Sequence, residues 1–402
     1  MTLRNILLGA AGACILAGSA AAQGFQNDGV KIGVLTDMSG TYSDIAGKGS
    51  VVAAEMAIED FGKQINGKAI EIVSADHQNK ADISSATARQ WYDADGVDAI
   101  FDLVTSATAL AVREVAREKG KIDMVSGAAT TALTGKACSP TGFHWAYDTG
   151  ALANGTGGAT VANGGDTWFF ITADYAFGHA LEADTSAVVE KSGGKVLGSV
   201  RHPFPNADFS SFLLQAQASG AKVIGLANAG QDTTNAIKQA AEFGIVESGQ
   251  SLASLLMFIS DVHSLGLPAA QGLLLTTGYY WDLDEKSRPF AKRFFEKTGQ
   301  MPTMVHAGVY SSVLHYLKAV DAAGTDDGKT VADKMRELPV DDFFARNADL
   351  RVDGRLVHDM YLARVKKPDD SKEPWDYFEI VATIPGEQAY LPLTKDCPLV
   401  TE

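Results

Sequence analysis

The chain has 402 residues, 46% of them hydrophobic, 21% charged and 8% aromatic, which supports sizeable cores and excludes a disordered or collagen-like polymer. Its formal charge of −15, from 34 Lys+Arg against 49 Asp+Glu, repels phosphate backbones and anionic membrane surfaces, and no block of like charges offsets it. Nucleic acid is therefore excluded as a partner.

The first residues set the compartment. Arg4 is a short positive head, Ile6 to Ala17 an apolar stretch and Ala20-Ala21-Ala22 a small-residue cleavage site before Gln23, so residues 1–22 read as a secretory signal and the mature chain as periplasmic. The competing reading, a membrane anchor, has only about 18 weakly apolar residues where about 20 predominantly apolar ones are needed. Removal of 1–22 takes away one Arg and no acid, leaving −15 − 1 = −16. Cys14 leaves with it, and Cys138 and Cys397 remain. In an exported protein these two can pair and tie down the C-terminal tail, or stay as free thiols. No Cys/His cluster has zinc-ligand spacing.

From Val30 onward, short β-rich runs alternate with helical patterns. Lys31 to Leu35 reads as a strand, and Val51, Ala54, Ile58 and Phe61 share a helical face. Strands at Ala69 to Ser74, Val97 to Leu103 and Ile122 to Val125 alternate with helices at Ala81 to Asp93 and Thr108 to Lys119. A second series opens after Thr149. It places strands at Thr167 to Thr172, Lys195 to Val200, Lys222 to Ala227, Leu255 to Ile259 and Gly272 to Thr277, with helices at Gly178 to Lys191, Phe209 to Ser219 and Gln231 to Phe243. Two such series predict an α/β protein of two lobes, each with a parallel sheet covered on both faces.

Three further helical patterns (Arg288 to Thr298, Val305 to Ala322, Lys329 to Leu338) need a sheet to cover, so the chain is expected to return to the first lobe. Two strand-like runs and a Pro-punctuated tail then go to the second. The expected division is 30–147 plus 281–338 for lobe 1 and 148–278 plus 341–402 for lobe 2. The crossings fall near Tyr147 to Thr149, Thr277 to Trp281 and Pro339 to Asp341.

GxxxxGK[ST], HExxH and GxSxG are all missing, which removes phosphate-cradling, zincin and nucleophile-elbow chemistry. Gly47-Lys48-Gly49 has Val52 where a dinucleotide fingerprint needs its third glycine, and reads as a helix start. Ligands of parallel α/β sheets sit beyond the carboxyl ends of the strands. In the first lobe those ends carry Ser39-Gly40-Thr41-Tyr42-Ser43, Thr105-Ser106-Ala107-Thr108 and Ser126-Gly127-Ala128-Ala129-Thr130-Thr131. Small hydroxyl residues at helix N-termini suit a carboxylate, and they also serve as ordinary helix caps. The second lobe offers Asp174-Tyr175-Ala176-Phe177-Gly178, Asn228-Ala229-Gly230-Gln231-Asp232 and Ser260-Asp261-Val262-His263, acids and aromatics for the other end of a small polar molecule.

In Val34-Leu35-Thr36-Asp37-Met38-Ser39-Gly40, Ser126-Gly127-Ala128-Ala129-Thr130, Asp174-Tyr175-Ala176-Phe177-Gly178 and Pro302-Thr303 followed by Tyr310, the chain resembles the type I periplasmic solute-binding proteins of branched-chain amino-acid-type ABC importers. The resemblance implies two Rossmann-like lobes joined by a three-segment hinge. It places the ligand carboxylate on Thr105, Ser106, Ala128 and Thr130, a closing tyrosine at Tyr175 and an ammonium-neutralising acid at Asp261. Leucine-type binders have Glu there, and this chain has the shorter Asp261 with His263 two residues on. Tyr42, Tyr175, Phe177, Tyr280 and Trp281 could instead line a pocket for an aromatic or aliphatic acid, with Asn228 beside it. The implied function is non-enzymatic delivery of a small carboxylate to an inner-membrane ABC permease by a monomer needing no cofactor. A ligand-sensing receptor module of the same fold is the alternative, and a hydrolase using Asp261 and His263 a third.

Overall fold

The computed structural model describes residues 24–26, 29–346 and 348–401. The signal-like segment 1–22 lies outside them.

The first lobe is built on β1 (Lys31–Thr36), β4 (Glu71–Asp76), β5 (Ala99–Asp102), β6 (Ile122–Val125) and β7 (Gly142–His144), with a small hairpin of β2 (Gln64–Ile65) and β3 (Lys68–Ala69) outside the sheet. The order β4-β1-β5-β6-β7 is parallel throughout. β5 and β6 are buried at every residue, apolar apart from Asp102 at the end of β5 and Asp123, which is paired with the buried Arg113. In the second lobe β8 (Thr167–Ala173), β9 (Lys195–His202), β10 (Val223–Ala227) and β11 (Ser251–Ser254) form a parallel sheet ordered β11-β10-β8-β9. Gly47 does start a helix, Gly47–Phe61.

The two-sheet expectation needs two corrections. The strand expected at Leu255 to Ile259 lies earlier in the chain, as β11, and Ile259 instead starts a helix, Ile259–Leu265. β12 (Leu274–Thr277) does not extend the second parallel sheet. After the short pair β13 (Asp349–Leu350) and β14 (Leu356–Val357), the chain forms β15 (Met360–Val365) and β16 (Phe378–Ile384), and β12-β15-β16 is a separate antiparallel sheet. β15 and β16 are joined as a hairpin, and β16 is mostly exposed along its length, as suits an antiparallel sheet with one wet face. The sequence reading left both β16 and β7 as irregular chain.

Helices Ser287–Thr298 and Met304–Ala323 return to the first lobe. Arg293 clasps Asp60 with two bonds of 2.7 and 2.9 Å, Tyr310 donates to the same carboxylate at 2.6 Å, and Thr303 Oγ1 donates to the Ile45 carbonyl at 2.7 Å. The hinge is organised around Arg355, which is fully buried. Its guanidinium donates to the carbonyls of Trp145, Tyr147 and Leu356 under the ring of Tyr390, while His358 Nε2 donates to the Ala146 carbonyl at 2.9 Å. Backbone carbonyls that leave one sheet without entering the next thus find donors from the C-terminal segment. Cys138, in the first lobe, is disulfide-bonded to Cys397 near the chain end.

Candidate functional site

The carboxyl ends of the two parallel sheets face each other across a narrow cavity with room for about one water molecule in this closed arrangement. Lobe 1 supplies Tyr42, Ile45, Val104, Ser106, Gly127 and Ala129. Tyr147 stands at the first crossing, and lobe 2 supplies Tyr175, Phe177, Ala229 and Leu256. None of the lining residues is charged, so an anion held here is met by dipoles and hydroxyls.

Helix Ser106–Lys119 opens directly on this cavity at the end of β5. Its first-turn N–H groups have no intrahelical acceptors and carry the positive end of the helix dipole. Ser106 Oγ accepts the Thr130 N–H at 3.2 Å, which leaves its own proton to donate. Thr105 stands at the position before the helix without capping it through its side chain, its hydroxyl meeting Thr108 Oγ1 at 2.7 Å instead. The Ala128 carbonyl accepts from His144 Nε2 at 2.8 Å, and Thr130 Oγ1 accepts the Ala132 N–H at 3.4 Å. Thr105, Ala128 and Thr130 stand behind Ser106 and Ala129, outside the lining set.

The first hydroxyl loop departs from expectation. Its backbone donors are consumed by its own strand end: the Asp37 carboxylate accepts the N–H groups of Ser39, Gly40 and Tyr42 at 3.3, 2.7 and 2.9 Å. What this loop gives the cavity is the Tyr42 ring. Tyr42 Oη lies 2.7 Å from Tyr175 Oη of the other lobe, and Phe204 stacks on both rings with centroids at 5.2 and 4.7 Å. Burial and the facing phenol push the Tyr42 pKa well up, so this bridge is between neutral hydroxyls. Beside it Gly230, at φ +59°, passes so close that a Cβ would sit 2.8 Å from the Thr41 carbonyl. Only glycine allows both that backbone turn and that approach of the lobes.

Tyr42, Ser106, Tyr175 and Phe177 are therefore brought together, and four other candidates are held elsewhere. Asn228 is buried under Ala229, its Oδ1 accepting from Thr233 and its amide facing His202. Asp261 is 5% exposed, and one of its oxygens accepts the Phe258 N–H at 2.8 Å, capping helix Ile259–Leu265. Burial lifts its pKa to about 7. His263 stacks flat on Trp375 at 4.0 Å and meets Tyr377 Oη at 2.8 Å. Tyr280 packs on Phe378 and donates to Asp376. No hydrogen bond joins Asp261 to His263 among the described residues, so the acid–base pair has no geometric support. The sequence reading missed Val104, Tyr147 and Leu256 as cavity residues, and Phe204 as the ring that stacks on Tyr42 and Tyr175. All are apolar or aromatic, with nothing in their local pattern to separate a ligand contact from core. Among the described residues no cluster of His, Cys, Asp or Glu is placed to hold a metal, and no helix is long and apolar enough to cross a membrane.

The periplasmic binding protein family profile matches residues 29–372, and the chain belongs to that family of solute-binding proteins. A periplasmic binding protein from Burkholderia mallei is 55% identical and superposes with a TM-score of 0.91, covering 93% of this chain and 100% of that one. A branched chain amino acid ABC transporter periplasmic ligand-binding protein from Burkholderia xenovorans is 45% identical, with a TM-score of 0.81 over 90% of this chain and 97% of that one. The Leu/Ile/Val-binding protein homolog 6 of Brucella melitensis is 24% identical over 92% of this chain and 94% of its own length.

Proposed function

We propose that the chain captures a small solute, a carboxylate on an apolar body, between its lobes and presents the closed form to an inner-membrane ABC permease. Lobe 1 is taken as 30–147 plus 281–338 and lobe 2 as 148–278 plus 341–402. The observation that carries this is the two-lobed cavity, where Ser106 and the N-terminus of its helix stand on one side and aromatic and aliphatic side chains on the others. A carboxylate seats on the helix N-terminus and the Ser106 hydroxyl, and the uncharged walls take the body. No acid lines the cavity to neutralise an ammonium, which favours an aromatic or aliphatic acid over an amino acid. Because both lobes touch the solute only when closed, binding shifts the open–closed equilibrium toward the shape a permease recognises.

Mass spectrometry of ligand carried through native purification, followed by a thermal-shift panel of benzoate, aliphatic acids and amino acids, tests this. A bound acid raises the melting temperature, since saturation at 100 times Kd adds about 2.7 kcal/mol. Stabilisation by amino acids alone would overturn the choice of ligand class, and no response to any carboxylate would overturn the carboxylate itself.

A further inference from the structure

Asp102 ends β5 in the first lobe, is fully buried, and neither of its side-chain oxygens has a hydrogen-bond partner. It and Leu103 both take positive φ, +78° and +56°, an uncommon and costly pair for residues with side chains. The bend is strapped to the next strand end: the Asp102 carbonyl accepts the N–H groups of Ser126 and Gly127, and the Leu103 carbonyl that of Ala128. A Cβ on Gly127 would fall 2.8 Å from Asp102 Oδ1 and 2.6 Å from Val104 Cα. Gly127 and Val104 are both cavity wall, so one glycine separates this carboxyl from the solute space.

We infer that Asp102 is a proton-uptake site coupled to ligand capture: a solute carboxylate seated at the start of helix Ser106–Lys119 draws a proton from solvent onto the Asp102 carboxylate behind the wall. The inference rests on the carboxylate reading above. A buried carboxylate faced only by the neutral hydroxyls of Thr36 and Ser50 is costly in its charged form, and a second anion on the other side of the wall makes the doubly charged state costlier. Taking up one proton removes one of the two charges. Asp37, from the end of β1, and Tyr147, from the first crossing, are the titratable groups that face Asp102. Thr36 of β1 and Ser50 of helix Gly47–Phe61 face it with hydroxyls that lack partners of their own. The Tyr147 hydroxyl donates its hydrogen bond to the Gly127 carbonyl at 2.6 Å, and no cation lines the cavity. Burial, with Asp37 adding to it and the two hydroxyls opposing, raises the Asp102 pKa to about 6, so at pH 7 the solute-free group is largely ionised and able to accept. Asp232 and Asp261 of the other lobe are also raised to about 7, but each already holds a backbone N–H, from Asn206 and Phe258.

Isothermal titration of the full mature chain, with benzoate and leucine as probes in buffers of different ionisation enthalpy, measures the coupling. Wild type is expected to take up about half a proton or more at pH 7 and almost none at pH 5, and to bind about tenfold more weakly at pH 8 than at pH 6. Asp102→Asn is expected to abolish both effects, and Asp232→Asn to leave them. Uptake that persists in Asp102→Asn overturns the inference. Should the variants fail to fold, the wild-type measurement decides alone: binding without proton exchange at pH 7 overturns the coupling and leaves the carboxylate reading standing. No heat with either probe or any other acid overturns that reading, and the coupling with it.

Discussion

Tyr42 and Tyr175 come from different lobes, and their hydroxyls meet at 2.7 Å over the cavity, with Phe204 stacked on both rings. The closed form is thus held by protein groups as well as by any solute beneath them. A neutral hydrogen bond of this kind contributes about 0.5–1.5 kcal/mol. Tyr42→Phe and Tyr175→Phe should each shift the solute-free chain toward the open form, read as a larger radius of gyration in small-angle scattering. The double variant should be little worse than either single one, since both remove the same bond. Additive effects would show that the two hydroxyls act apart.

Ser106, as the first residue of its helix and a wall of the cavity, should matter more than its neighbours. Ser106→Ala leaves a charged ligand group short of a donor, a loss of about 1.5–3 kcal/mol, or about 10- to 150-fold in affinity. Thr130→Ala should cost less, because its hydroxyl serves the Ala132 N–H. His263→Ala, far from the lining and stacked on Trp375, should leave affinity within a factor of two or so, as surface substitutions away from a site generally do. Titration calorimetry of the three ranks them, and equal losses would contradict the placement of the carboxylate.

Asp261 supplies a test in pH. Burial holds its carboxyl at about 7, above the ordinary 3.8. Between those values the folded chain keeps a proton that the unfolded chain has released. The stability from this group is therefore full below pH 4 and is lost as pH rises through 7. Asp261→Asn keeps an oxygen for the Phe258 N–H, so its stability relative to wild type should rise by about 2–4 kcal/mol between pH 5 and pH 8. Denaturant melts at the two pH values measure the difference. No rise between them would show that the ionised carboxylate has a partner.

Arg355 predicts the largest loss of stability. Arg355→Met would strand the carbonyls of Trp145, Tyr147 and Leu356 in a buried hinge and leave Asp148, 3.5 Å away, without its cation. Removing one member of such a buried set costs about 3–5 kcal/mol. Thermal unfolding should show it, and a near-neutral result would mean water replaces the guanidinium.

The alternation of strands and helices was plain because β10 and the first three residues of β5 are unbroken apolar runs, and such runs are what a parallel sheet buries. The placement of β12 was not, since its antiparallel partners are supplied about 85 residues later and no local pattern in Leu274–Thr277 announces them. In the site, Ser106 was legible as a hydroxyl at a helix start. The loss of the Ser39–Tyr42 donors to Asp37 depends on a side chain folding back on its own turn, a habit of Asp that the sequence allows without requiring. Asp261 looked like a ligand group because an acid in the first turn of a short helix and an acid facing a solute have the same sequence signature. Leu256 and Val104 are apolar residues in ordinary positions, and only the meeting of the lobes makes them a wall.

The bond between Cys138 and Cys397 spans 259 residues of sequence and closes the chain from 138 to 397, with β7 to β16, into one covalent ring. A single protease cut anywhere inside it opens the ring without separating the halves. Nicked molecules would then migrate at full mass on a non-reducing gel and split only when thiol is added. Two separate chains would result from reduction and cleavage together, and from neither alone.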